Sequence, residues 1–348
     1  MRASIPSTKQ GGYILALNIA VLAMMLVGAA YMGQRMSLAR QLAQAEQQRV
    51  TAEYELESAR AEVFMLLSAV PRTLHGLGEL PNVVALDGRQ YRLGKQVVVS
   101  LQDLRGLVAL NGFQLSGFGR ERMERLLATY GIDAQQASIL NDALLDYRDA
   151  DDLRRLNGAE KEDYARAGHP DQIRNGNLLT PGELGRVFGW RDAKKLWGDD
   201  PITNHVSVAR VSTFNPNTAD WRALVAMGGI SEDMAKSLIK SRGAGEVLDI
   251  SPLVYSGSLG DPFGPNAYVT LFPSNVVIVT LRMVDAPWGY RVTVAHTPDL
   301  EANPWRIEGV ERIDMPALAN DLEKLPVLPD WKQLRDPSVK QLKVQLPF

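Results

Sequence analysis

Acidic residues between positions 149 and 163 have a spacing that can hold a hard metal ion. Asp149, Asp151 and Glu160 fall at positions 1, 3 and 12 of a twelve-residue loop. Ca²⁺ collects several oxygen ligands from one flexible loop of this kind. Asp152 and Asp163 are weaker candidate ligands. The spacing therefore predicts a calcium site formed by this loop.

An arrangement without metal is also compatible with these residues. The EF-hand loop needs glycine at its sixth position, but Arg154 stands there and Gly158 comes later. Arg148, Arg154 and Arg155 can pair with the acids, or the acids can cap a helix. The sequence leaves the calcium site and the metal-free arrangement open.

A short turn between two helical segments is the second candidate binding site. The helices are expected at residues 221–227 and 232–242, and the turn consists of Gly228, Gly229, Ile230 and Ser231. It resembles the turn of a helix-hairpin-helix, in which a second glycine lets backbone N–H groups approach a phosphate. Here Ser231 stands at that position. We expect Asn217 or Thr218 to cap the first helix and Ser231 to cap the second.

Charge argues against nucleic-acid binding by this turn. Residues 210–250 contain five basic and five acidic side chains, and the whole chain has 38 Lys and Arg against 40 Asp and Glu. Phosphate attraction needs a net positive surface. We therefore interpret the turn as structural.

The sequence also argues against an enzyme. It contains no cysteine, which excludes disulfides, thiolate zinc sites and cysteine nucleophiles. The four histidines lie far apart in sequence, and the common zinc-protease, serine-hydrolase and nucleotide-binding motifs do not occur. We expect no catalytic residues.

The N-terminus carries the strongest structural signal. Residues 13–33 contain no charge and, as a helix, would span about 31 Å, which is roughly one bilayer core. Residues 34–70 contain no Gly or Pro and are rich in helix formers, and Pro71 ends the segment. The pattern predicts one helix over residues 13–70. A cleaved secretory signal and a plain membrane anchor are the alternative interpretations of its first part.

The remaining chain predicts β segments on both sides of a helical block. Strands are expected at residues 83–86, 90–93, 96–101, 276–283, 290–295 and 305–313, with Asp87-Gly88 as a turn. Helices are expected at residues 121–130, 134–147, 181–188 and 192–197. The expected domains are a leader (1–12), a transmembrane part (13–33), a first α/β part (34–117), an inserted helical domain (118–272), a second part with strands (273–315) and a proline-containing tail (316–348), extended or loosely packed.

The N-terminus resembles the class III signal of type IV pilins and pseudopilins. The polar leader ends in Gly12 and an aromatic residue, Tyr13, follows. In that family the prepilin peptidase cuts after the glycine, which implies a cut between Gly12 and Tyr13. Typical members carry Glu at the fifth mature position, where this chain has Leu17. The general secretion pathway protein K family, which comprises large minor pseudopilins of type II secretion systems, lacks this glutamate.

Other segments resemble the same family. Residues 97–111 follow its strand, Asp, Gly, strand, Asn pattern, and the inserted helical block and the hairpin also occur in it. Its Asp-x-Asp, Gly-Ala-Glu pattern matches Asp149, Asp151 and Glu160, and calcium sites are known in these subunits. The implied fold class is a pilin-like α/β (α+β) fold: a long N-terminal helix packed on a small antiparallel sheet, with a large inserted all-α domain containing the helix-hairpin-helix-like motif.

The resemblance implies a structural role without catalysis. The expected protein caps the tip of the pseudopilus together with two smaller minor pseudopilins, on a filament of the major pseudopilin, and supports the export of folded proteins, which it can contact. It is expected to cross the bacterial inner membrane once, with a cytoplasmic N-terminus and its main body in the periplasm. A membrane-tethered DNA-binding competence protein and a type IV pilus minor pilin are the alternatives.

Overall fold

A computed structural model describes residues 11–112, 118–210, 213–243, 269–297, 303–315 and 322–335. Most of the expected leader, residues 1–10, lies outside this part of the chain. The long N-terminal helix is confirmed, and α1 spans Gly11–Ala69. By its internal contacts the chain divides into two units, Met1–Ser58 and Ala59–Phe348.

The first unit contains the membrane-spanning candidate. A stretch within Tyr13–Ala69 is long and apolar enough to cross a bilayer, and none of its residues is buried inside the protein. Met24 and Leu26 are 74% and 71% exposed. So large an exposed apolar surface needs an apolar environment outside this chain.

The second unit contains nine strands and six helices among its described residues, besides the end of α1. The strands are β1 (Arg72–Thr73), β2 (Gly76–Leu77), β3 (Asp87–Leu93), β4 (Val97–Asp103), β5 (Val108–Ala109), β6 (Val206–Ser207), β7 (Val276–Met283), β8 (Trp288–His296) and β9 (Trp305–Asp314). The α-helices are α2 (Phe118–Ala128), α3 (Ala134–Arg148), α4 (Lys161–Arg166), α5 (Trp221–Gly228), α6 (Glu232–Gly243) and α7 (Trp331–Arg335). Short 3-10 helices cover Leu104–Gly106, Pro181–Arg186, Lys194–Trp197, Ile202–Asn204 and Leu322–Lys324.

The main sheet has five strands in the order β3-β4-β7-β8-β9, and every neighbouring pair is antiparallel. Alternate residues such as Val99, Leu101 and Val279 are fully buried, as expected for one covered face. The last turns of α1 are also buried, and Phe64 packs against Trp305 of β9 with ring centroids 5.6 Å apart. The predicted pilin-like fold class is confirmed.

The helical region is inserted between two neighbouring strands. β4 and β7 pair directly, from Val97 opposite Met283 to Asp103 opposite Val277, and helices α2–α6 lie between them in sequence. The insert has its own core, which includes Leu126, Leu144 and Trp190. It is not purely α-helical, because β6 pairs in parallel with β5 and the expected helices at 181–188 and 192–197 are short 3-10 helices.

The expected turn at Asp87-Gly88 is wrong. Both residues lie in β3, where the register shifts between Asp87 and Gln90, and the positive φ of Gly88 (78°) fits this bulge. The Asp87 carboxylate is buried and pairs with Arg89 at 2.7 Å and with Arg242 of α6 at 3.1 Å. The residue pair that looked like a turn therefore holds the insert against the sheet. The strand expected at 83–86 is reduced to a single bridge between Val84 and Leu77.

The described part of the C-terminal tail packs on the sheet. Arg92 of β3 donates its backbone N–H to Pro326 O at 2.8 Å and accepts from Leu328 N at 2.9 Å. Leu328 and Leu334 are buried. Residues 325–328 are thus extended but not loosely packed, since they pair with the edge of the sheet. Residues 316–321 and 336–348 of the expected tail lie outside the described residues.

Candidate functional site

A fully buried carboxylate joins the sheet to the insert. Asp103 Oδ2 accepts hydrogen bonds from Asn215 Nδ2 at 3.0 Å and from Thr218 Oγ1 at 2.8 Å. Its Oδ1 accepts from Ser274 N at 2.8 Å. Because Asp103 ends β4 and Ser274 precedes β7, one side chain fixes both ends of the insert.

Two later residues of the pattern at residues 97–111, Gly106 and Asn111, also have a structural role. A Cβ at Gly106 would lie 2.5 Å from Thr218 O, so no larger residue fits this crossing without a shift. Asn111 Nδ2 donates to Leu178 O at 2.7 Å and to Val208 O at 2.6 Å. Gly106 and Asn111 thus position segments of the insert.

The acidic residues of the candidate calcium loop have different partners. Asp149 Oδ2 pairs with Arg155 Nη1 at 2.5 Å. Asp151 Oδ1 accepts from Leu153 N at 2.9 Å, which closes a local turn. Among the described residues, no three or more His, Asp or Glu side chains are grouped as a metal-ligand set.

The two weaker candidates also make protein contacts. Asp152 Oδ1 accepts from Asn175 Nδ2 at 3.2 Å. Asp163 Oδ2 accepts from Glu160 N at 3.0 Å, and its other oxygen pairs with Arg166 at 2.6 Å. Arginine pairs and a helix cap therefore describe Asp149 and Asp163, and the other two acids, Asp151 and Asp152, have a local-turn contact and an amide contact.

Glu160 is the exception. It is the N-cap residue of α4, only 5% exposed, and both its carboxylate oxygens are buried without a hydrogen-bond partner among the described residues. Burial, followed by the charges of Asp146, Asp149, Asp152 and Asp151, raises the pKa of Glu160 to about 7. A buried, unpaired carboxylate that faces other carboxylates is costly unless a proton or a cation neutralises it.

Asp146 belongs to this cluster and was missed by the sequence reasoning. Its side chain is fully buried and pairs with Arg155 Nη1 at 2.5 Å. Gly158 passes so close that a Cβ there would lie 1.8 Å from Asp146 Oδ2. The late glycine of the loop is therefore needed where the backbone crosses Asp146, a contact that no local sequence pattern indicates.

The candidate hairpin has the expected helices, α5 and α6. Gly229 follows α5 in the left-handed conformation (φ 63°), and Ser231 Oγ accepts from Met234 N at 3.3 Å in α6. Gly228 is the last residue of α5, and Ile230 is buried. The expected cap at Asn217 or Thr218 is wrong, because Asp220 caps α5 by accepting from Ala223 N at 2.8 Å. The carboxylate of Asp220 is nearer to the helix start, whereas the hydroxyl of Thr218 donates a hydrogen bond to Asp103.

A buried histidine lies beside this hairpin and was also missed. His205 Nε2 lies 2.7 Å from Asp200 Oδ1, and its Nδ1 contacts Asp220 Oδ2. Arg222 Nε donates to Asp200 Oδ2 at 3.1 Å. Burial alone would lower the pKa of His205, but the two carboxylates raise it to about 9. The cluster is a neutralised ionic network within the insert.

The N-terminal candidate residues lie at the start of α1. Gly12 and Tyr13 are in its first turn, and Leu17 follows with 52% of its surface exposed. Leu17 offers an apolar side chain where a pilin glutamate would place a charge.

Residues 100–195 match the family model described as type II secretion system (T2SS), protein K. A chain of the crystal structure of the GspK-GspI-GspJ complex from the enterotoxigenic Escherichia coli type 2 secretion system is similar in fold, with a TM-score of 0.52. The two chains are 15% identical, and the match covers 79% of this chain and 99% of the other. No curated protein matches this chain. Sequence over residues 100–195 and fold over most of the chain thus confirm the resemblance to protein K of the type II secretion system.

Proposed function

We propose that this chain is a minor pseudopilin of a bacterial type II secretion system. The family match over residues 100–195 is the observation that carries the proposal. The first unit supplies one apolar helix of membrane-spanning length. In the proposed arrangement this helix crosses the inner membrane once, its N-terminus is cytoplasmic, and the second unit lies in the periplasm.

The proposed position is the tip of the pseudopilus, in complex with two smaller minor pseudopilins and on top of the major pseudopilin. The similar solved structure is a complex of three such proteins, which supports this set of partners. Leu17 cannot make the carboxylate–amine pair expected between filament subunits. The large insert adds width, which favours a position where one side needs no neighbour.

The partner surface is proposed to lie along α1. Between residues 34 and 58, large apolar side chains are exposed, and Leu42 (63%), Val50 (41%) and Tyr54 (75%) fall on one side of the helix. An apolar stripe on a helix surface is typical of packing against another helix. We assign these residues to contacts with the helices of the two smaller pseudopilins.

A calcium ion is proposed to complete the acidic cluster. Glu160 and Asp149 fit this role because both oxygens of Glu160 and Oδ1 of Asp149 are buried without a hydrogen-bond partner. Asp146, in the last turn of α3 and three residues before Asp149, adds a further carboxylate beside them, which pairs with Arg155. Bound calcium would neutralise Glu160 and hold the loop after α3 against α4. Its role is structural, as is the role proposed for the whole subunit.

Co-purification tests the proposed partners and position. The full-length chain, extracted in detergent, should form a stoichiometric complex with the two smaller minor pseudopilins of the same system and should not polymerise alone. Replacement of Leu42 with Glu should weaken this complex, whereas Gln48→Glu, at an exposed position on the other side of the same helix, serves as a control. Labelled subunit found repeatedly along the filament shaft would contradict the tip position.

A further inference from the structure

The last residue of α3 carries a guanidinium group that lacks a suitable acceptor. Arg148 Nε is buried without a hydrogen-bond partner, and Nη2 reaches Asn177 Oδ1 only at 3.5 Å, the outer limit of a hydrogen bond. In the part of the chain that the structure describes, Arg148 forms no ion pair. Burial lowers the pKa of Arg148.

A second guanidinium approaches the same amide from another segment. When the Asn177 amide is turned so that its oxygen faces Arg210, it accepts from Nη2 at 2.6 Å and from Nε at 3.2 Å. This orientation satisfies the amide, and it places the NH₂ group at the position 3.5 Å from Arg148 Nη2. Asn177 then gives Arg148 no acceptor, since a guanidinium and an amide NH₂ are both donors.

Asn177 and Arg210 lie next to a hydrogen-bonded framework. Asn111 Nδ2 donates to Leu178 O and to Val208 O, and Asn111 Oδ1 accepts from Leu178 N at 3.2 Å. Asn177 precedes Leu178, and Arg210 lies two positions after Val208. The backbones that carry the amide and the second guanidinium are therefore fixed relative to each other before any ligand binds, which lowers the entropic cost of binding.

We infer that Arg148, Arg210 and Asn177 form a binding site for an oxyanion of the carboxylate or phosphate type. Such an anion accepts hydrogen bonds from both guanidinium groups, whose planar forks match carboxylate and phosphate oxygens. The Asn177 amide can then donate to the anion with its NH₂ group. The site lies in the insert, on residues that the proposed secretion role does not use.

Binding to the full-length protein in detergent tests the site. We would titrate inorganic phosphate and, separately, acetate against the protein at constant ionic strength, with chloride as the replaced anion, and follow heat of binding and melting temperature. At least one anion should bind saturably and raise the melting temperature. A response to acetate alone identifies a carboxylate site, and a response to phosphate alone identifies a phosphate site.

Variants separate this site from general charge effects. Arg210→Gln should weaken binding by at least about tenfold, the effect of losing one charge-assisted hydrogen bond. Arg210 is exposed, so this variant should keep its fold even if Arg148→Gln does not. Arg191→Gln, which removes another exposed arginine of the insert, should bind like the wild-type protein. Absence of saturable binding by both anions, or equal affinity of Arg210→Gln and the wild-type protein, would overturn the inference.

Discussion

Asn215 Nδ2 donates a hydrogen bond to Asp103 Oδ2 at 3.0 Å, between residues 112 positions apart. Asp103 lies in the sheet and Asn215 lies in the insert, and both are fully buried. Thr218 and Ser274 donate to the same carboxylate. The attachment of the insert therefore depends on one side chain with several charge-assisted hydrogen bonds.

Asp103→Ala should be strongly destabilising. The substitution leaves the buried donors of Asn215, Thr218 and Ser274 without an acceptor, so we expect the free energy of unfolding to fall by at least about 3 kcal/mol. Denaturant unfolding of the full-length protein in detergent measures the effect. Asp133→Ala is the matched control, because this exposed carboxylate only caps α3 and should cost about 1 kcal/mol. Equal losses in the two variants would show that the junction is unimportant.

Stability should decrease as the pH rises from about 6.5 to about 9. The pKa of His205 is about 9 in the folded protein, above its ordinary value of 6.5, because Asp200 and Asp220 bind the charged ring. The folded state thus holds a proton that the unfolded state releases in this range, so stabilisation is complete below pH 6.5 and is lost above. We expect a lower melting temperature at pH 9 than at pH 6.

Two histidine variants identify the group responsible. His205→Gln should remove most of the difference between the melting temperatures at pH 6 and pH 9. His169→Gln should leave it unchanged, because His169 is exposed and far in sequence from the ionic network. The same difference in His205→Gln as in the wild-type protein would assign the pH dependence to another group.

Removal of calcium should lower the melting temperature. An ion that binds only the folded state stabilises it by mass action, by about 2.7 kcal/mol at a hundredfold excess over the dissociation constant. Asp149→Ala and Glu160→Gln should abolish most of the difference between chelator and millimolar calcium, while Glu162→Gln, an exposed neighbour, should retain it. Identical wild-type melting curves under both conditions would assign the cluster to protonation and arginine pairs alone.

Gly158→Ala should disturb the acidic cluster from the backbone side. The added methyl group would lie 1.8 Å from Asp146 Oδ2, so the loop or the carboxylate must move. We expect a loss of about 2 kcal/mol in unfolding free energy, as for overpacking of a buried site. Gly198→Ala is the control, since nothing lies within 4 Å of the corresponding position. Denaturant midpoints of the two variants give the comparison.

Processing by prepilin peptidase should expose Tyr13. N-terminal sequencing of the membrane-extracted protein should give Tyr-Ile-Leu-Ala-Leu, and a bulky residue at Gly12 should leave the precursor uncut. An N-terminus after Ala30, or an intact Met1, would falsify the pilin-type leader.

Local patterns in the sequence predicted the elements better than their connections. The apolar run and the continuous helix formers place α1 within about two residues, and the strand at 276–283 matches β7 at both ends. These signals depend on neighbouring residues alone. The cap of α5 was predicted at the wrong residue because the hydroxyl of Thr218 forms a hydrogen bond with Asp103, 115 positions away.

The acidic loop shows the same limit. Spacing selected Asp149, Asp151 and Glu160, of which the structure leaves only Glu160 wholly without a hydrogen-bond partner for its carboxylate among the described residues. It could not select Asp146, whose importance comes from burial and from the close approach of Gly158. Distance in the folded protein, and not residue type, decides which carboxylates repel one another and shift each other's pKa.

Insertion of the helices between adjacent strands also sets an order of folding. β4 and β7 are central in the sheet, yet they cannot pair until residues 104–275 bring their ends together. Closing so long a flexible loop is entropically costly, whereas a folded insert, with its own core and with Asp103 and Ser274 hydrogen-bonded, has already closed it. We expect the insert to fold first, so that the sheet is completed only after the insert has folded.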